Sequence, residues 1–437
     1  MPTIDRHPDA GPIHPVSAFL ASRIYYGWVI LAIATLAAIS TAPAQTFGVA
    51  PFNSAIRNEL GLSHSQLTGA YMFGTLLASL PMSYIGILSD RFGLRRSKIA
   101  AVLLLAGACG VTAMASGLFT LFLAFFLLRM FGQGALSMLS GNTLAFWFER
   151  RLGTVEGFRH LGMAGAIAVV PAMNLWLLEA VGWRSAYLIV GCAILIVMLP
   201  LLLWLFHDRP EYVGQCTDGR TFDDDDDAPP DDQPSPLDIG LTLNQAIRTR
   251  TFWFAALPWV LWGMANTGVL FNIMPLFEDR GLGELDVAAL FTAFAATLAV
   301  THLIGGALAD RVPLPWLIAV STAGISVSLA LLQAADSRLM VVSAGIAMGV
   351  TQGLLLASLA PLWPRYFGRR HIGSIRGLLA TLAVSSTSAG PFIFGAVKDW
   401  TGLYDPAFTA FWMVGIPLAI AAPFTITRPT LPHHIPA

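Results

Sequence analysis
Charge is what this sequence is short of. Asp, Glu, Lys and Arg make up 12% of its 437 residues, against about 25% in a soluble domain. Cysteine is scarce too. Cys109, Cys192 and Cys216 show neither metal-ligand nor disulfide spacing, and two of them fall in apolar runs, where cysteine behaves as a small hydrophobe. No catalytic constellation appears, so neither an enzyme nor a cofactor nor a metal is expected. The net charge of −1 implies no nucleic-acid partner. Residues 1–23 are polar and rich in Pro and His, and the first apolar run is too long for a signal core, so no cleavable signal peptide is expected.

What fills the chain is apolar. Hydrophobic residues reach 55% and the mean hydropathy is +0.66, too much to be hidden in a soluble core. A spanning helix needs about 20 apolar residues. Twelve stretches qualify: 25–51, 67–89, 98–116, 119–146, 158–181, 184–206, 252–276, 287–309, 315–335, 338–364, 373–397 and 405–427. Lys and Arg fall unevenly on the loops between them, 19 on the side of the loop at 86–98 and five on the other, with Arg129 inside the membrane. By the positive-inside rule the basic side is cytoplasmic, with both termini there. The expected location is the plasma (cell inner) membrane.

One long break interrupts the spans. It carries Asp223 to Asp227 and then Pro229, Pro230, Pro234 and Pro236, a composition that cannot bury enough apolar surface to fold. It lacks the spaced ligands and glycine of a calcium loop. The expected organisation is therefore a tail at 1–24, a six-helix bundle at 25–206, an acidic cytoplasmic linker at 207–250, a second bundle at 251–427 and a tail at 428–437. The bundles repeat. Gly61-Leu62, Gly86, Asp90 and Arg91 match Gly281-Leu282, Gly306, Asp310 and Arg311 at one fixed offset. Gln133-Gly134 and Arg150-Arg151 match Gln352-Gly353 and Arg369-Arg370 at an offset shorter by one. Gly153 and Gly157 then match Gly373 and Gly377 at the first offset again. Agreement of this kind over two separate loops marks parallel structural repeats.

The loop Gly86-Ile-Leu-Ser-Asp90-Arg91-Phe-Gly93-Leu-Arg95-Arg96 resembles the signature between helices 2 and 3 of the major facilitator superfamily. The resemblance implies an all-α fold of twelve transmembrane helices in two pseudo-symmetric bundles, and a gating role for Gly86, Asp90, Arg91, Gly93, Arg95 and Arg96. The second copy keeps Gly306, Asp310 and Arg311, but Val312-Pro-Leu-Pro315 replaces the rest. It is expected to be the weaker clasp.

In such an architecture the substrate sits near the mid-plane between the halves, where ionisable residues mark the site. Arg129 lies about 16 Å into its helix, either facing a cavity or bonded to helix carbonyls. The run Arg129-Met-Phe-Gly132-Gln133-Gly134 resembles the superfamily's helix-4 motif, in which the arginine faces the cavity. His302, about 12 Å from the end of its helix, is the second candidate, since histidine changes charge near neutral pH. Gln45, Tyr71, Asn272 and Ser385 are uncharged candidates, each able instead to bond a neighbouring helix. No Asp or Glu falls in the middle of any assigned span. Proton coupling would then need His302 or His160, or a carboxylate on the substrate.

Tyr25-Tyr26-Gly27-Trp28, Asp208-Arg209-Pro210-Glu211, Arg250-Thr251-Phe252-Trp253 and Gly390-Pro391 resemble the monocarboxylate porter and oxalate/formate antiporter branch. His302 and Ala383 stand where that branch tends to carry Arg and Lys, so a dianion is disfavoured. The reading that follows is a secondary transporter, antiporter or symporter, of a small organic anion, foremost a monocarboxylate. A proton is a candidate co-substrate, the lipid bilayer is the surrounding partner, and a monomer is expected. The alternative is a proton-coupled drug or metabolite exporter of the same superfamily.

Overall fold
A computed structural model describes residues 14–219 and 240–429. The acidic run at 223–227 lies outside the described residues. The described chain is helical, with no strand beyond one isolated bridge between Gly240 and Gly368. Its longer helices are α1 (Gly27–Ile39), α2 (His64–Ser79), α3 (Met82–Phe92), α4 (Leu94–Ala113), α5 (Leu118–Leu128), α6 (Ser137–Trp147), α7 (Leu152–Pro200), α8 (Arg250–Phe271), α9 (Glu284–Ala309), α10 (Leu314–Gln333), α11 (Arg338–Phe367), α12 (Ile372–Thr401) and α13 (Asp405–Thr425). In hydrocarbon every backbone polar group must be satisfied within its own segment, which is why the apolar runs are helices throughout.

Among the described residues nine helices are long and apolar enough to cross a membrane, or ten when the α2–α3 pair, bent by 44°, is one span. Two more complete the expected twelve. The run Leu152–Leu205 has 54 residues, about 80 Å of helix against a hydrocarbon core of about 30 Å. It turns back at Gly182, whose φ of 77° suits glycine. The last span is α8, 22 residues long. Two large apolar cores form, one from Tyr26 to Val213 and one from Leu241 to Ile426.

The halves meet at the end that carries the basic loops. Asp90, in the last turn of α3, accepts from the backbone N–H of Gly373 (2.8 Å) and Ser374 (2.9 Å), the start of α12. Asp310, following α9, accepts from Gly153 and Thr154 (both 2.8 Å), the start of α7. Each carboxylate thus caps a helix N-terminus of the opposite half, where free N–H groups and the helix dipole favour an anion. The helices touch closely there. A Cβ on Gly86 would lie 2.0 Å from the carbonyl oxygen of Gly373, and one on Gly153 2.5 Å from that of Gly306.

The second clasp is the richer one, which corrects the expectation from sequence. Asp310 also accepts from the Thr154 hydroxyl at 2.7 Å and pairs with Arg365 at 2.7 Å. The offset that pairs Gln133 with Gln352 pairs Phe146 with Arg365, so Asp90 has no equivalent arginine. The residues lost from the second copy do other work in the first. Arg95 donates through its backbone N–H to Asp208 at 2.7 Å and through Nε to the carbonyl of Leu202 at 3.0 Å. Gly93 takes a φ of 84° beside the same Asp208, whose carboxyl is pushed up by burial against the pull of the Arg95 N–H. These contacts lie within one half. Arg91, Arg96 and Arg311 are exposed, and Arg91 lies over the ring of its neighbour Phe92.

Asp310→Asn should therefore loosen the basic end more than Asp90→Asn. Ser137 faces the space between the halves. With Ser137→Cys as the sole cysteine, labelling from the basic side by an impermeant maleimide should rise about tenfold or more in Asp310→Asn, as expected for a broken buried pair, and less in Asp90→Asn. Equal rates would show that Thr154 and Arg365 add nothing.

Candidate functional site
Next to these ties, between the halves, lies a cavity of about 400 Å³. Arg129 is on its wall, and the local sequence explains how it is held. After α1 the chain breaks into a short 3-10 turn, Ala42–Ala44, and restarts helically at Thr46. The break leaves the carbonyl of Ala44 without a helical partner, and Arg129 donates to it through Nη1 at 3.0 Å. Arg129 opens a π-helical turn, Arg129–Leu136, a wide turn common at functional sites. Its guanidinium lies 4.9 Å from the centroid of the Tyr71 ring, and the Tyr71 hydroxyl is 2.8 Å from that of Thr46. Arg129 thus combines both readings, with one nitrogen tied to a carbonyl and Nε without a partner among the described residues.

The other candidates separate. Gln45 lines the cavity and donates to Thr41 at 3.0 Å. Tyr71 supports Arg129 from behind and is not in the lining. Asn272 turns back to bond the carbonyl of Gly268 in its own helix at 2.8 Å. Ser385 is passed over, while its neighbours Ala383 and Val384 reach the cavity. His302 also misses the lining. It is buried in the seam between α9 and α7, where its ring centroid is 4.8 Å from that of His160, and His160 is the one that faces the cavity. The depth of His302 along its helix is readable from sequence; the face it occupies is not.

The floor is made of residues just before an assigned span, Glu156, or in the first turn of one, Arg159 and Arg376, which the charge count groups with the basic loops. Because α7 begins at Leu152, Glu156 and Arg159 sit within a helix and line the cavity, as does Arg376 of α12. Glu156 accepts from Arg159 Nε at 2.6 Å and lies 3.9 Å from Arg376. Arg376 also donates to Asn142 Oδ1 at 3.2 Å and to the carbonyl of Ala360 at 2.6 Å. Arg159 approaches His160 at 3.2 Å. This corrects two expectations. A buried carboxylate does face the cavity, and a second and third fixed cation are present. The lining carries three arginines, Arg129, Arg159 and Arg376, against one carboxylate, Glu156. The repeat contains the signal, since Glu156 and Arg376 stand at equivalent positions, related by the offset that pairs Gly153 with Gly373.

Arg129→Lys should lower the melting temperature of the purified protein by the equivalent of about 1–2 kcal/mol, since the amine keeps the charge and gives up planar stacking on Tyr71. Tyr71→Phe keeps the ring and should cost less. An unchanged melting temperature in Arg129→Lys would mean that the ring plays no part, and a larger loss in Tyr71→Phe would assign the support to the hydroxyl on Thr46.

Comparison with known proteins gives these groups a context. The chain is 28% identical over 427 residues to human "Monocarboxylate transporter 11", covering 90% of this chain and 84% of that one. It is 25% identical over 377 residues to "Probable sulfoacetate transporter SauU" of Cupriavidus necator, covering 81% and 83%. The crystal structure of the human organic anion transporter MFSD10 shares the fold, with a TM-score of 0.66 at 16% identity over 92% of this chain and 99% of that one. The family profile of the Major Facilitator Superfamily matches residues 35–391 and 270–436. With that match, the two six-helix halves and the cavity between them, the chain belongs to the Major Facilitator Superfamily and is a multi-pass membrane transporter.

Proposed function
We propose that this transporter moves a small organic anion of the monocarboxylate class by alternating access. The observation that carries the reading is the charge of the cavity, three guanidinium groups to one carboxylate in the lining. At the floor, Glu156 offsets one of two arginines, which leaves about one unit of positive charge for a substrate carboxylate. Arg376 is the group to receive it. Its ion pair with Glu156 is long, while Asn142 and the Ala360 carbonyl hold the guanidinium in place. A guanidinium pairs with a carboxylate through two parallel hydrogen bonds. Arg129 adds a second positive centre on the wall.

The names of the relatives support an organic anion, a monocarboxylate in one case and the dianion sulfoacetate in the other. Substrate enters from the end opposite the basic loops, with the Asp90 and Asp310 clasps shut, and leaves once they part. The positive charge of the loops around those clasps supports a cytoplasmic position for them and for both termini. The other reading of the sequence is a proton-coupled drug or metabolite exporter, and one whose substrates are hydrophobic cations would meet charge of the wrong sign in this cavity.

A thermal-shift series on the purified protein tests the reading. At about a hundredfold excess over its Kd a ligand stabilises by about 2.7 kcal/mol, so sodium lactate should raise the melting temperature measurably. Arg376→Gln should abolish that rise. His302→Ala, outside the cavity, should preserve it. Stabilisation by tetraphenylphosphonium with none by lactate would overturn the assignment in favour of the exporter.

A further inference from the structure
The internal repeat has an unusual consequence at the cavity floor. Gly153 and Gly157 bracket Glu156, while their repeat equivalents Gly373 and Gly377 bracket Arg376. The fold therefore turns an acid of one half toward a base of the other at symmetry-related positions. Both are sequestered, with side-chain exposures of 2% and 12%. The two oxygens of Glu156 are used unequally. One is bonded to Arg159 at 2.6 Å. The other faces Arg376 across the seam at 3.9 Å, an ion pair without a hydrogen bond.

We propose that Glu156 is a built-in counter-anion, which takes the place of the substrate's carboxylate when the carrier is empty. The proposal rests on the anionic substrate argued above. Without an anion at the floor, shutting the basic end buries Arg159 and Arg376 against each other with nothing to balance them, and an uncompensated buried charge is strongly destabilising. Glu156 supplies the balance from within the chain, so the empty carrier closes and returns. The long cross-seam distance matters equally. An arriving carboxylate takes Arg376 without breaking a bonded pair, because Asn142 and Ala360 hold the guanidinium either way. Arg159 keeps Glu156 in place meanwhile. Such a carrier performs net transport; stripped of Glu156 it becomes an exchanger, able to close only with substrate aboard.

Spin labels at Phe92→Cys and Arg370→Cys, exposed at the basic end on opposite halves, read closure without any substrate. In a background free of the native cysteines, the unsubstituted carrier should show mainly the short distance. Glu156→Gln should raise the open-to-closed ratio by about tenfold or more, Glu156→Asp should not, and Glu156→Gln combined with Arg376→Gln should restore the short distance. An unchanged distribution in Glu156→Gln, or a double variant that stays open, overturns the proposal. In proteoliposomes, with lactate as the probe, Glu156→Gln should lose net uptake and retain lactate–lactate exchange; undiminished net uptake also overturns it. If lactate neither closes Glu156→Gln nor is transported by the unsubstituted carrier, the monocarboxylate reading fails. The substrate-free distances still decide the role of Glu156.

Discussion
Two carboxylates, each at the head of a helix belonging to the other half, hold the basic end of this molecule together. Asp90 caps α12 and Asp310 caps α7. Each interaction satisfies backbone N–H groups that a helix start leaves free and places a negative charge on the positive end of a helix dipole. Everything at the floor of the cavity depends on this registration. Glu156 lies one turn into α7 and Arg376 one turn into α12, so the caps that dock the helices also set how the acid and the base meet.

Charge is rare in this chain because the bilayer makes it expensive, and its placement is correspondingly informative. Arg129 is accommodated by a break in the first span that frees a carbonyl, by the face of Tyr71 and by a widened turn in its own helix. Arg159 and Arg376 are accommodated by a shared carboxylate. The three guanidinium groups are met in different ways, one by a carbonyl and a ring and two by the same carboxylate. The loop after α7 is put to another use. Asp208 and Arg95 stitch it to the start of α4, which makes the basic motif of the first half partly an internal brace.

The large-scale architecture is readable in the amino-acid sequence. Spans are announced by uninterrupted apolar length, and the halves by the fixed offset between Gly86–Arg91 and Gly306–Arg311. Arg129 is also legible, because a lone arginine in the middle of an apolar run stands out. The floor is hidden by a boundary. Glu156 and Arg159 lie close to Arg150 and Arg151, and a cluster of charge next to an apolar run reads as loop. In the fold, protein instead of lipid surrounds that first turn and a half of α7, so charge is tolerated inside the helix. His302 misleads for a different reason. Depth along a helix follows from residue count, but which neighbour a face meets depends on how the helices pack, and here His302 meets α7. The strength of the second clasp is illegible because its extra partner, Arg365, comes from another helix some 55 positions away.

The close approach of Gly86 to Gly373 and of Gly153 to Gly306 has a thermodynamic corollary. Where backbone meets backbone there are no rotamers to lose on closing or to regain on opening. Side-chain entropy, which ordinarily rewards the parting of two surfaces, contributes little at these glycine contacts. The balance between shut and open is left to the hydrogen bonds and ion pairs around them. At these two contacts, charge and hydrogen bonding weigh more than side-chain packing.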